Sequence, residues 1–157
     1  MVWLATPAEA ELVAGLLVEF RDHLGRAWPS ANAFLAGVER LSEQPDTEYL
    51  LATPDPDSAP AGVAQLRYRY GLWHAAEDAY LEDLFVRAPA RGGGVGSALV
   101  EGAVARAEAR ACRRIQLDVN DANPAGRALY ERFGFSARPE GGEGEYLLMG
   151  RILGSEG

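Results

Sequence analysis

The chain has 157 residues, 48% of them hydrophobic and 24% charged, with a formal net charge of −8. This length predicts one domain over 1–153 with its own core, followed by a frayed tail at 154–157. The acidic balance argues against nucleic-acid binding, and no apolar run approaches the roughly 18 residues of a membrane span.

The first half of the chain begins with a short apolar stretch at 2–5, which predicts a strand. Pro7 then marks the start of a helix, and Pro29 and Ser30 mark the start of a second helix that continues to about residue 41. Residues at helical spacing define the expected inward faces of both helices. They are Leu12, Leu16, Leu17, Phe20 and Leu24 in the first helix, and Phe34, Leu35, Val38 and Leu41 in the second.

Three strands are predicted next, at 47–53, 61–70 and 79–86, with a turn at 54–60 and a hairpin loop at 71–78. A helix at 96–110 follows, with Leu99, Val100, Ala103 and Ala107 facing the sheet.

The last predicted elements are a strand at 114–119, a helix that Pro124 opens and Gly134 ends, and a final strand at 145–153. The order β-α-α-β-β-β-α-β-α-β indicates an α/β (α+β) fold with a mixed, mostly antiparallel sheet and helices on both faces.

The glycine-rich segment Arg91-Gly92-Gly93-Gly94-Val95-Gly96 lies where a strand runs into a helix. Unpaired N–H groups and the dipole at a helix N-terminus favour an anion, and glycine lets the backbone approach it. A diphosphate cradle is therefore the leading interpretation, beside an ordinary glycine turn. A Walker A loop is excluded because the chain has no lysine. The G-x-G-x-x-G spacing of a Rossmann turn is absent too.

The spacing Arg91-x-x-Gly94-x-Gly96 resembles the acyl-CoA loop of the GNAT (Gcn5-related N-acetyltransferase) superfamily. About 30 residues later, Asn123-Pro124-Ala125-Gly126-Arg127-Ala128-Leu129-Tyr130-Glu131-Arg132-Phe133-Gly134-Phe135 resembles the family pattern N-x-x-A-x-x-L-Y-E-x-x-G-F. Gly126 departs from it, since the family usually has alanine there. The resemblance implies an N-acetyltransferase with acetyl-CoA as acyl donor, often a homodimer.

The resemblance also implies residue roles. The loop N–H groups would bind the donor's diphosphate, the preceding strand its pantetheine arm and the Val86 N–H the oxyanion. Asn123, at the start of the next helix, would also contact the arm. The residues assigned to the donor are Leu84, Phe85, Val86, Arg91, Gly92, Gly93, Gly94, Val95, Gly96, Ser97, Asn123 and Gly126. Tyr130 would be the general acid, although it also fits an aromatic residue that packs on a helix face.

The general base has two candidates. Glu82 and Asp83 lie on the strand before the loop, where alternation predicts one carboxylate on each face of the sheet. Glu82 resembles an acidic position of diamine and glucosamine-phosphate acetyltransferases. Asp118, on the neighbouring predicted strand, resembles one of ribosomal-protein N-terminal acetyltransferases. A salt bridge or a solvated strand end remains the alternative for each.

The acceptor is expected to be a small primary amine, with a di- or polyamine favoured. The hairpin from Tyr68 to Val86 resembles that of diamine N-acetyltransferases, and Tyr68, Tyr70 and Trp73 offer cation–π faces. Arg67 and Arg69 on the same hairpin argue against a cation. A protein N-terminus, an amino acid, an aminoglycoside and a non-catalytic CoA-binding module remain open.

A cytoplasmic location is expected, because the single cysteine, Cys112, excludes an internal disulfide and the N-terminus lacks the basic region of a signal peptide. No metal site is expected, since His23 and His74 stand apart from any ligand-like spacing.

Overall fold

A computed structural model describes residues 1–154. The chain divides into two compact units, Met1–Leu117 and a second that begins at Asp118. The single domain over 1–153 therefore stays a prediction. Residues 155–157 of the expected frayed tail lie outside the described residues.

The elements of the first unit follow the expected order. Its strands are β1 (Val2–Leu4), β2 (Thr47–Ala52), β3 (Gly62–Gly71), β4 (Ala76–Val86) and β5 (Arg114–Leu117), and its helices are α1 (Ala10–His23), α2 (Ala31–Ser42) and α3 (Val95–Ala109). The five strands form one sheet in chain order. The first three pairings are antiparallel and β4 pairs with β5 in parallel, which confirms the mixed, mostly antiparallel sheet.

Helices cover both faces of this sheet. Leu51, Val63 and Phe85 are aligned across β2, β3 and β4, and they pack into one buried cluster with α1 and Val38 of α2. The residues that alternate with these three along the strands point to the opposite face, toward α3. Gly62 of β3 is one of them, and a Cβ there would come within 3.0 Å of Val95 and Leu99 of α3. Leu99, Val100, Ala103 and Ala107 of α3 are all buried, as the sequence predicted.

Two local expectations are wrong in detail. In α1, Leu12 is 45% and Leu24 55% exposed, while Val13 and Ala14 are buried instead. Leu16 and Leu17 are buried as expected, whereas Leu24 lies past the last residue of α1, His23. The hairpin loop is only residues 72–75, because β3 and β4 pair as far as Gly71 and Ala76.

The second unit contains α4 (Pro124–Arg132), and Gly134 follows it with φ of +87°. The predicted start at Pro124 and end at Gly134 are both confirmed. The strand expected at 145–153 is wrong: this segment has no strand, and Leu147, Leu148, Met149, Ile152 and Leu153 are exposed. Its apolar residues run consecutively, and such a run fits a strand only where a neighbouring strand and a covering layer bury both faces.

Within the described residues, no helix is long and apolar enough to cross a membrane. The same residues hold no cluster of three potential metal ligands.

Candidate functional site

The glycine loop occupies the turn between β4 and α3. Gly92 and Gly94 have φ of +83° and +84°, a region that other residues rarely adopt. Gly94 is also the N-cap of α3. A Cβ on Gly92 or Gly94 would meet nothing within 4 Å, so the backbone at both positions borders open space.

The loop leaves several backbone donors without partners. Among residues 1–154, no hydrogen-bond acceptor is found for the N–H groups of Gly92, Gly94, Val95 and Gly96. These donors lie at the positive end of the α3 dipole, where an anion is favoured. The loop therefore fits the diphosphate of an acyl-CoA, on the geometry of its own main chain.

Arg91 links the glycine loop to the end of β4. Its Nε donates a 2.9 Å hydrogen bond to the Val86 carbonyl, and its guanidinium lies 5.8 Å from the centre of the Phe85 ring. The last residues of the strand and the first of the loop are thus tied together.

The end of β4 has an open edge. The parallel ladder with β5 stops at Leu81 and Leu117, whereas β4 continues to Val86, and no strand in the described part of the chain pairs with that edge. The Arg87 N–H donates to Ala61 on the β3 side at 2.8 Å. Because strand residues alternate, the main-chain groups of Val86 and Leu84 point to the open edge. Those of Phe85 point to β3.

A β-bulge in β4 corrects the expected placement of the two carboxylates. Gln65 is opposite Asp83 and Leu66 is opposite Leu81, so Glu82 is the extra residue between them. The prediction that Glu82 and Asp83 point to opposite faces is therefore wrong. A carboxylate oxygen of Glu82 lies 3.5 Å from the guanidinium of Arg67. The pKa of Asp83 is raised first by burial and second by the nearby charge of Glu82. Both carboxylates therefore share the face of the sheet that α1 and α2 cover.

Tyr49 lies on the same face beside these carboxylates. Burial first, and then the charges of Asp83 and Glu82, raise the pKa of its phenol to about 12. Tyr49 and Gln65, its cross-strand neighbour, are both buried. The sequence analysis missed both residues, although polar side chains at inward positions of otherwise apolar strands are a usable signal.

The aromatic residues proposed for cation–π contact do not join this site. Tyr68 belongs to the α3 face, where its hydroxyl donates to Glu48 and its ring lies under Arg110, 3.8 Å away. Trp73 is 99% exposed at the hairpin tip, and Tyr70 lies close to that tip as well. The Tyr68 ring thus already contacts a cation of the chain itself, and the other two rings lie at the hairpin tip, so a cation–π contact of these rings with the acceptor stays a prediction.

The second unit carries the remaining predicted residues. Tyr130 lies on α4 with its ring 6.1 Å from that of Phe135, and burial raises the pKa of its phenol. Asn123 caps α4 by accepting from the Gly126 N–H at 3.0 Å. A Cβ on Gly126 would come within 2.9 Å of the Asn123 side chain, so glycine gives this cap its space.

Asp118 is not on a strand. β5 ends at Leu117, and Asp118 is the exposed first residue of the second unit. Of the two candidates for the base, only Glu82 belongs to the same unit as the glycine loop.

Comparison with known families identifies the fold. The family model described as "Acetyltransferase (GNAT) family" matches residues 15–135, which is most of the chain. The chain belongs to this GNAT family. It is therefore an N-acetyltransferase, and its acyl donor is acetyl-CoA.

Solved structures agree with the family. A proposed acetyltransferase from Arthrobacter sp. FB24 has 29% identity and a TM-score of 0.87, over 98% of this chain and 96% of that one. A ribosomal-protein-alanine N-acetyltransferase from Brucella melitensis biovar Abortus 2308 has 18% identity and a TM-score of 0.72, over 96% and 99%. An aminoglycoside acetyltransferase from an uncultured soil metagenomic sample has 11% identity and a TM-score of 0.78, over 98% and 96%. The last two share only the fold. A comparison with curated protein sequences gave no match.

Within this GNAT protein, the glycine loop has two residues with positive φ and four N–H groups without an acceptor among residues 1–154. The acceptor side differs among the neighbours, since their names specify a ribosomal protein in one case and aminoglycosides in another.

Proposed function

We propose that the protein transfers an acetyl group from acetyl-CoA directly to a primary amine of a small acceptor, with a di- or polyamine favoured. One observation carries this proposal: the bulge at Glu82 sets two adjacent carboxylates on one face, next to the open edge of β4. One carboxylate serves the reacting amine and the other a second cationic group. The chain's net charge of −8 favours the approach of such an acceptor.

The donor binds along the end of β4 and the glycine loop. Within the segment from Arg91 to Ser97, the N–H groups of Gly92, Gly94, Val95 and Gly96 receive the diphosphate. The main chain of Leu84 and Val86 faces the pantetheine arm at the open edge. Phe85 contributes its side chain to the core below the arm. Asn123 and Gly126 are assigned to the same arm by their match to the family motif.

The transfer needs a base, an oxyanion donor and an acid. Glu82 takes a proton from the ammonium, directly or through one water, and the amine nitrogen attacks the thioester carbonyl. The Val86 N–H, which points to the open edge, donates to the oxyanion. As the carbon–sulfur bond breaks, Tyr130 protonates the thiolate. The nitrogen gives up its second proton, which returns through solvent to the Tyr130 phenolate, and the products are the N-acetylated amine and free CoA.

Asp118 is the second candidate for the base, by its match to the family. Glu82 lies on β4, the strand that leads into the glycine loop, whereas Asp118 follows the end of β5, and this placement favours Glu82. We infer further that the protein works in the cytoplasm as a homodimer. The single cysteine supports the cytoplasmic location, and the frequent occurrence of dimers in the family supports the homodimer.

The test is release of free thiol from acetyl-CoA with a panel of amines, against a control without amine. The panel contains spermidine, a short diamine, lysine, an aminoglycoside and an N-terminal peptide, all at the same moderate salt concentration. The highest kcat/KM is expected for the short diamine or spermidine. A preference for the peptide or the aminoglycoside would reject the di- or polyamine, and no thiol release above the control with any amine would reject the proposed transfer.

A further inference from the structure

Three polar side chains form a row across the sheet face covered by α1 and α2. Tyr49 on β2 is opposite Gln65 on β3, and Gln65 is opposite Asp83 on β4. The next row toward the end of β4 is Leu51, Val63 and Phe85, which belongs to the apolar core. The polar row therefore lies at the border of that core, one step from the bulge at Glu82.

Tyr49 and Gln65 of this row are buried except at their polar ends, and these ends have no hydrogen-bond partner in the described residues. Tyr49 is 4% and Gln65 5% exposed, and neither the phenol nor the amide has a hydrogen bond within the described residues. Neither polar end belongs to the fully buried unpaired atoms of the described residues, so both ends reach accessible space and are free to bind a ligand beside Asp83. Tyr68 offers the contrast, because its buried hydroxyl is paired with Glu48.

The charge of the row also lacks compensation. Glu82 has Arg67 at 3.5 Å, whereas the half-buried Asp83 forms no ion pair in the part of the chain that the structure describes. A buried carboxylate normally has a cationic partner. Arg67 is engaged by Glu82, so the cation that suits Asp83 has to come from outside the chain.

We infer that Tyr49, Gln65 and Asp83 form a site for the second ammonium of a diamine acceptor. The three N–H groups of an ammonium match three oxygens in this row: the Asp83 carboxylate, the Gln65 amide carbonyl and the Tyr49 hydroxyl. Glu82, on the same face, then meets the other amine of the same acceptor. This inference rests on the proposed function, and it adds two binding residues and a chemical reason to prefer a diamine over a monoamine.

Direct binding tests the site without relying on catalysis. Calorimetry would compare 1,3-diaminopropane with n-propylamine on the wild-type protein and on Tyr49→Phe, Gln65→Leu and Asp83→Asn. The diamine should bind at least about tenfold more tightly than the monoamine, since hydrogen bonds to a charged group are worth that much. Tyr49→Phe and Gln65→Leu should each remove most of this advantage, and Asp83→Asn all of it.

A matched tyrosine variant separates binding from folding. Tyr49→Phe removes a hydroxyl that has no partner, so its thermal midpoint should equal or exceed that of the wild type. Tyr68→Phe removes a paired hydroxyl on the other face, so its thermal midpoint should fall while its preference for the diamine is kept.

Equal affinities for the two amines, or a diamine preference that survives in Tyr49→Phe and Gln65→Leu, would overturn the inference. The proposed function can fail separately. If the diamine binds as described but no amine releases thiol from acetyl-CoA, the transfer is rejected and the ammonium site stands. If both amines are acetylated with equal KM and bind equally, the transfer stands and the site is rejected.

Discussion

Substitutions at Gly94 separate backbone strain from charge at the donor site. Gly94 has φ of +84°, and a Cβ there would meet nothing within 4 Å. Gly94→Ala therefore creates no clash and should lower the free energy of unfolding by about 1 to 2 kcal/mol, the cost of the left-handed conformation. Gly93 has no positive φ, and Gly93→Ala should lower the stability less.

Gly94→Glu adds a negative charge to the same strain. A carboxylate about 5 Å from a phosphate, at an effective dielectric constant of about 20, repels it by about 3 kcal/mol. That energy corresponds to a loss of about 100-fold in affinity for acetyl-CoA, whereas Gly94→Ala should lose less than about tenfold.

Calorimetric titration with acetyl-CoA measures the affinities, and urea unfolding measures the stability of each variant. If Gly94→Glu binds acetyl-CoA as tightly as Gly94→Ala does, the diphosphate does not lie at this loop. If Gly94→Ala is as stable as Gly93→Ala, the left-handed backbone at this position is refuted.

Four further variants test the acid, the base and the burial of Asp83. Tyr130→Phe removes a phenol whose pKa is raised by burial, so the proposed proton donor is lost. In steady-state assays kcat should fall about 100-fold, with little change in the KM for acetyl-CoA. Wild-type turnover would mean that Tyr130 only packs against its neighbours. Glu82→Gln should lose most of its activity near neutral pH and recover part of it at higher pH, where the amine deprotonates in solvent. If Asp118→Asn shows this pH profile and Glu82→Gln does not, Asp118 is the general base. Burial and then Glu82 raise the pKa of Asp83, so the folded protein holds this proton to higher pH than the unfolded chain, and stability falls as pH rises above about 4. Asp83→Asn should therefore raise the thermal midpoint near pH 7 but not near pH 3, and equal gains at both would contradict the burial of this charge.

The sequence predicted those elements whose signals are local. Ser30 caps α2 with its own side chain, Pro124 opens α4 and Gly134 follows it with positive φ, because each depends only on neighbours in the chain. The two motifs fixed the family for the same reason. The buried stripe of α1 was misassigned because Leu12 and Leu24 fit the helical period as well as Val13 does.

The features that depend on pairing between distant strands were not predictable. The bulge at Glu82 exists only relative to the register of β3, so alternation along β4 alone placed Asp83 on the wrong side of its neighbour. The row of Tyr49, Gln65 and Asp83 likewise appears only when three strands are aligned. The segment at 145–153 has the composition of a strand, but composition does not supply a partner.

The placement of helices on opposite faces has a consequence for changing this protein by design. The donor loop begins α3, which packs on one side of the sheet, while Tyr49 and Gln65 lie on the other side. Substitutions at Tyr49 and Gln65 leave the main-chain donors of the loop unchanged, so their free energies should add to those of loop substitutions. A library directed at positions 49 and 65 can therefore explore new acceptors while the affinity for acetyl-CoA stays constant.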